Sequence, residues 1–231
     1  MMKKNGFTLA EVLLSLGIVG VIAAVTLPTL LLNVEKRKAG PALMKAVNTL
    51  ESASALALQM NDARKLSDTI KNKNTTQVLL LENILADYTQ LTSVPNNVSY
   101  ELGAEIAVSG SPYATKDGIV FYDSRSLPNV GVASKKFNGA AFHIYVDTNG
   151  MRGPNKFGRD VFELFVDEKG IVIPFGSYLW QVYQNGKGVY WETACKSMTK
   201  DNKDAPQNAR ACAGAIVDNG GRVLYNYEAI N

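Results

Sequence analysis

Few side chains in this 231-residue sequence are of a type and spacing that could do chemistry. Near the start a single carboxylate, Glu11, interrupts an apolar run over residues 7–32, FTLAEVLLSLGIVGVIAAVTLPTLLL. An acidic group in a membrane helix costs about 2.5–3.5 kcal/mol at the bilayer centre and less near an interface, so it calls for a partner, a function or a route to the headgroups. Farther on, Asp147, Asn149 and Asp160 fall within DTNGMRGPNKFGRD. The first two have the alternate-residue oxygen spacing of calcium loops, and Asp160 is placed to close such a site. The acidic positions that an EF-hand needs after Gly150 are missing, and the glycines, proline, Asn and Asp of this run could equally shape a tight loop through Asx turns alone. Cys195 and Cys212 are the only cysteines and His143 is the only histidine. A lone histidine argues against a His-based metal centre or a catalytic triad. His143, between Phe142 and Ile144, reads as an ordinary strand residue. No phosphate loop, GxSxG or HExxH motif occurs.

Composition narrows the class. Hydrophobic residues make up 46% and charged residues 19%, which fits neither a disordered chain nor a polytopic membrane protein. Residues 1–60 carry six basic and three acidic groups, whereas residues 61–231 carry eighteen of each. A globular part without charge bias argues against nucleic acid as a partner, because that function leaves a basic footprint.

The elements that must position these groups follow from periodicity. The run at 7–32 is long enough to span a bilayer as a helix and longer than the 7–15 apolar residues of a signal peptide. Lys3 and Lys4 precede it while Glu35, Lys36, Arg37 and Lys38 follow, so charge asymmetry does not fix its orientation. Residues 42–60 continue with good helix formers, and Leu43, Val47, Leu50, Ser54 and Leu58 make one apolar stripe. Pro28 and the pair Gly40-Pro41 are expected bends or breaks. Residues 61–74 read as a loop, and Thr75 or Thr76 is placed to cap a second helix running to Leu91. Strand patterns follow at 98–108, 118–123, 141–147, 161–166, 171–174, 178–183, 188–193 and in a final pair around 214–227, with residues 216–225 as a hairpin. The aromatic groups at 178–183 and at Tyr190-Trp191 suit core and cross-strand packing better than a ligand platform. The fold class expected is α+β: a long N-terminal helix packed on a mostly antiparallel sheet.

The start of the chain carries a resemblance. Lys3-Lys4-Asn5-Gly6 followed by Phe7-Thr8-Leu9-Ala10-Glu11-Val12 resembles the cleavage and methylation motif of type IV prepilins and type II secretion pseudopilins. The resemblance covers roughly the first 35 residues. It implies cleavage between Gly6 and Phe7 by a membrane prepilin peptidase, N-methylation of Phe7, and assembly through Glu11 paired with the terminal amine of a neighbouring subunit. Pro28 falls where many members carry a helix-kinking proline. The implied layout is a leader at 1–6, a transmembrane and filament-core helix at 7–32, its extension at 33–60 and a pilin-like head at 61–231. Losing Lys3 and Lys4 would take the formal net charge from +3 to +1, and the new α-amino group, with a reference pKa of about 7.7–8.0, would be mostly cationic.

The same resemblance implies a structural subunit and not an enzyme. Its partners would be other pilin or pseudopilin subunits, the peptidase, an inner-membrane assembly platform and the membrane itself, with no small-molecule substrate. The head would be exported to the periplasm or cell surface from a single-pass anchor in the bacterial inner membrane. An oxidising compartment favours a Cys195–Cys212 bridge over two free thiols, in keeping with the late disulfide loop of many type IV pilins. The run at 147–160 is similar to a loop of pilin-like proteins, and major pseudopilins bind calcium in head loops, though not demonstrably in this one; calcium is thus a candidate cofactor beside the Asx-turn reading, and no other cofactor is implied. A head of about 170 residues suits a minor or tip subunit. The rival classes are a membrane-anchored adhesive or DNA-uptake module at a filament tip, which would show a basic or aromatic surface patch, and an anchored hydrolase, which would need an acid/base cleft.

Overall fold

The computed structural model describes residues 8–70, 79–94, 108–124, 140–150, 152–196, 198 and 208–230. Its backbone is organised by one helix, α1 (Leu9–Met60), which at 1.5 Å per residue is about 78 Å long. Pro28 and Pro41 both lie inside it, so neither breaks it, contrary to one of the two outcomes expected for them. The two halves of α1 differ in pattern. Residues 9–32 are apolar around most of the circumference, none of residues 9–38 is buried, and Ala39, Gly40, Leu43, Ala46, Val47, Leu50, Ala53, Ser54 and Ala57 form a buried stripe at helical spacing. The expected stripe is there, with Leu58 at its half-buried end.

That stripe packs on an antiparallel meander of six strands among the described residues: β1 (Thr92–Ser93), β2 (Val108–Ala114), β3 (Val120–Ser124), β4 (Ala140–Asp147), β5 (Val161–Asp167) and β6 (Val172–Pro174), hydrogen-bonded in sequence order. The centre is the β4–β5 ladder, in register from Asp147 opposite Val161 to Phe142 opposite Val166, with a one-residue shift before Ala140 meets Asp167. Alternation assigns the faces. Phe121, Phe142, Ile144, Val146, Phe162, Leu164, Val166 and Val172 join the α1 stripe in the main core. Val120, Tyr122, Tyr145 and Val161 form a second cluster, and Phe165 and Ile173 form a third with Trp180. Both faces of β3 and β5 are thus covered, and every residue of the two strands is buried, Asp123, Ser124, Glu163 and Asp167 included.

The strand expectations at 118–123, 141–147, 161–166 and 171–174 correspond to β3–β6. Three others are corrected. Residues 178–183 form a helix, α2 (Tyr178–Tyr183), because the Ser177 hydroxyl accepts the Trp180 backbone N–H and caps a turn that drives Trp180 onto Phe165 and Phe175. The candidate strand at 188–193 is irregular over 188–190 and turns over 191–196, with the Trp191 N–H donating to the Gly176 carbonyl at 2.9 Å instead of to a strand neighbour. The expected hairpin at 216–225 is instead the end of α3 (Cys212–Asp218) followed by a turn through Asn219, Gly220 and Gly221. Gly214 explains the choice: a Cβ there would overlap the backbone of Gly176 and Ser177, so the glycine lets α3 lie directly on the turn before α2. The second helix is also shorter than expected. It runs as a π-helical turn, Leu81–Leu85, then a 3-10 turn, Ala86–Tyr88; its expected start at Thr75 and Thr76 lies outside the described residues, as does most of the candidate strand at 98–108.

Polar and close backbone contacts add to that packing, two of them near the start of the stripe. Gly40 meets the turn at Gly221 so closely that a Cβ would overlap the Gly221 carbonyl oxygen. Near the lower end of the buried stripe, Arg159 ion-pairs with Glu35 of α1 at 2.7 Å.

Candidate functional site

Gly6 and Phe7, the residues flanking the expected cleavage bond, lie outside the described residues. The next ones are visible. Thr8 is the N-cap of α1, and its backbone N–H and hydroxyl donate to Glu11 Oε2 at 2.8 and 2.9 Å, while the Glu11 N–H donates to Thr8 Oγ1 at 3.3 Å. This is a reciprocal capping box, which satisfies orphan N–H groups at a helix start. Glu11 therefore has an intrachain partner at the apolar end of the stem. From Leu9 on, the stem presents Leu13, Leu14, Leu16, Ile18, Val21 and Ile22 outward, all more than half exposed. Among the described residues α1 is the only helix long and apolar enough to cross a membrane.

The loop at 147–160 brings its three named residues together. Asp147 ends β4, and its Oδ1 accepts the N–H groups of Asn149 and Gly150 at 3.0 and 2.9 Å. Asp160 precedes β5; its Oδ2 accepts the Asn149 side-chain amide at 3.0 Å and the Asn155 N–H at 2.9 Å, and its Oδ1 accepts the Lys156 N–H at 2.6 Å. Gly150 has a positive φ of 69°, and a Cβ there would crowd the Gly118 carbonyl, so the turn needs glycine. The loop is thus stapled by two Asp side chains acting on its own backbone, as the Asx-turn reading expects. Two buried oxygens have no hydrogen-bond partner: Asp147 Oδ2 and Asn149 Oδ1. Burial pushes the Asp147 carboxyl up to about 7, with the Asp160 charge adding, and burial likewise raises Asp160. Calcium takes six to eight oxygens. Among the described side chains the loop offers two that are unspent, while Asp160 already accepts three hydrogen bonds. No cluster of three or more acidic, His or Cys side chains able to hold a metal occurs among the described residues.

Cys195 and Cys212 are bridged, with Cα atoms 5.1 Å apart. The bridge ties the turn after Trp191 to the first residue of α3, and both cysteines are fully buried. The polar loop between them lies mostly outside the described residues.

Several groups with no sequence signal are as well organised as these. On the sheet face away from α1, Glu163 receives Arg210 through Nε at 2.6 Å and Nη2 at 2.8 Å, and His143 Nε2 lies 2.8 Å from it. Burial opposes ionisation of Glu163, but the His143 hydrogen bond and the His143 and Arg210 charges outweigh it and hold the carboxyl below its usual range. His143 also stacks on Phe165 at 4.4 Å, so it is a packed strand residue with a carboxylate partner. On the helix side, the Asp123 carboxylate accepts the N–H groups of Leu80 and Leu81 and caps that short helix across the fold. These partners are 20–47 positions apart in the chain, and no local spacing announces them.

The expected aromatic packing holds for Trp180, although on a helix. Trp191 is half-buried and donates through Nε1 to Asp218 at 2.9 Å.

The comparison with known families bears on the first of these sites. The prokaryotic N-terminal methylation motif matches residues 1–27. The chain is prepilin-like. The motif marks a substrate of prepilin peptidase, and it points to a structural subunit that assembles with other pilin subunits. With the apolar first half of α1, it fits an anchor in the inner membrane. Neither a curated protein nor a solved structure matches the chain.

Proposed function

We propose that this prepilin-like chain is a subunit, minor in the assembly, of a type IV pilus-like filament or a type II secretion pseudopilus. It is cut between Gly6 and Phe7, methylated at Phe7, held by residues 7–32 in the inner membrane with its head exported, and polymerised through that same segment. The observation that carries the reading is the contrast on α1: an apolar stem over residues 9–32, none of it buried by the head, with one carboxylate near its start inside the methylation motif. Such a surface is stable only in lipid or against other stems. Glu11, capped by Thr8 in the single chain, exchanges that bond for a neighbour's terminal amine on assembly. Glu11→Ala is expected to insert in the membrane at wild-type levels and to abolish incorporation into filaments, read by membrane fractionation beside sheared-filament recovery. Normal incorporation would refute the role given to Glu11.

A second reading concerns the head. The buried and unpartnered Asp147 Oδ2 and Asn149 Oδ1 support a calcium ion in the loop, with Asp160 closing the site after giving up part of its backbone bonds. Calcium is then expected to raise the melting temperature of EDTA-treated protein, and Asp147→Asn to remove the response. An unchanged melting temperature would leave the loop as an Asx-turn staple only.

A further inference from the structure

We propose that the cleft between the foot of the head and α1 is a binding site for the phosphodiester headgroup of an anionic phospholipid. This rests on the membrane-anchored reading of the stem. The cleft has a volume of about 480 Å³ and lies between residues 35–39 of α1, the β2–β3 turn and the loop at 147–160. Its height above the bilayer follows from the helix. Lys38 is six residues beyond Leu32, the last residue of the apolar run, and at 1.5 Å per residue that is about 9 Å. The polar zone outside the hydrocarbon is some 5–8 Å thick on each side, so the flexible stem of Lys38 returns its ammonium to the phosphate level.

The charges in the cleft are unequally spent. Each of its acids is engaged: Glu35 with Arg159 at 2.7 Å, Asp117 with Lys45 at 2.7 Å, and Asp160 with backbone and amide donors. Lys38 and Arg152 are exposed, and among the described residues neither has an ion-pair or hydrogen-bond partner. Two unspent cations facing one cleft at headgroup depth suit a phosphate monoanion, with the Arg152 guanidinium able to take two oxygens. The Arg159–Glu35 pair holds the loop against the helix and so keeps Arg152 at that level. Lys38, the last of the basic run after the span, thereby acquires a role that orientation rules do not give it.

The test uses the full chain in nanodiscs of equimolar phosphatidylglycerol and phosphatidylethanolamine, released for native mass spectrometry to count the lipids each chain retains. A basic residue at an anionic surface is worth about fivefold in binding, so phosphatidylglycerol is expected in excess by roughly tenfold or more. Lys38→Gln with Arg152→Gln should abolish the excess, while Lys36→Gln with Arg37→Gln should leave most of it. Both pairs are expected to melt as wild type. Equal loss in the two pairs would mean a diffuse basic collar, and no excess in wild type would mean no site; either overturns the proposal. Displacement by excess inorganic phosphate would assign the cleft to a free anion and overturn the lipid as its ligand. A chain that fails to enter the nanodisc would refute the anchored reading beneath it, which the lipid counts alone do not touch.

Discussion

The two halves of α1 are one helix built for two different surroundings. Residues 39–60 place small and aliphatic side chains on a single stripe, and the sheet and α3 cover it. Residues 9–32 place leucine, isoleucine and valine all round, and the head buries none of them. The first pattern says that this part of the helix owes its stability to tertiary packing. The second says that the stem takes its stability from surroundings outside the chain. Glycine marks the boundary: Gly40 is where the helix first touches the head closely enough to exclude any side chain.

That contrast is open to direct attack. Leu50, fully buried, and Leu16, with 64% of its surface exposed, are the same residue type on the same helix. Leu50→Ala is expected to cost the head about 2–5 kcal/mol by thermal melting in detergent, whereas Leu16→Ala should leave the melting temperature unchanged and weaken only incorporation into filaments. Equal melting effects would mean that the stem packs on its own head. A smaller loss is expected from removing the bridge that helps to close the head. Replacing Cys195 and Cys212 by alanine frees a loop of about 18 residues, worth roughly 3 kcal/mol in the chain-entropy model, or about 6–12 °C for a chain of this size. The Leu16-dependent phenotype should not follow it.

The smallest effect is a slope with pH. Burial, opposed by the Leu81 and Leu80 N–H groups, pushes Asp123 up to about 7. A carboxyl that titrates near 7 when folded and near 4 when unfolded binds more protons in the folded state between those values, so stability rises as pH falls from about 8 to about 5. Glu163, held below its usual range, acts in the opposite sense and only at lower pH. In EDTA the head is therefore expected to melt a few degrees higher at pH 5.5 than at pH 8, and Asp123→Asn to flatten part of that slope. A slope unchanged by Asp123→Asn would place the titration elsewhere.

What the sequence makes legible divides along the same line. The stem, its carboxylate and the buried stripe are periodic or local, and β3–β6 lie between clear turn residues. The failures are also physical. YLWQVY has the composition of a strand, yet Ser177 caps it and Trp180 finds its pocket only when the segment coils. CAGAIVD resembles one arm of a hairpin, yet Gly214 permits a contact with the backbone at 176–177 that a strand would not make. The ion pairs Glu163–Arg210 and Arg159–Glu35 join residues 47 and 124 positions apart, and nothing in either neighbourhood names the partner. For the loop at 147–160, spacing singled out three residues that the fold brings together, while the backbone bonds that occupy Asp160 are visible only in the fold.

The most direct test of the account is the intact and N-terminal peptide mass of the protein taken from native membranes. A chain that begins at Phe7 and carries one added methyl group is the predicted result. A chain beginning at Met1 or Met2, from cells that possess the peptidase, would contradict it and leave a single-pass anchored head whose work is binding.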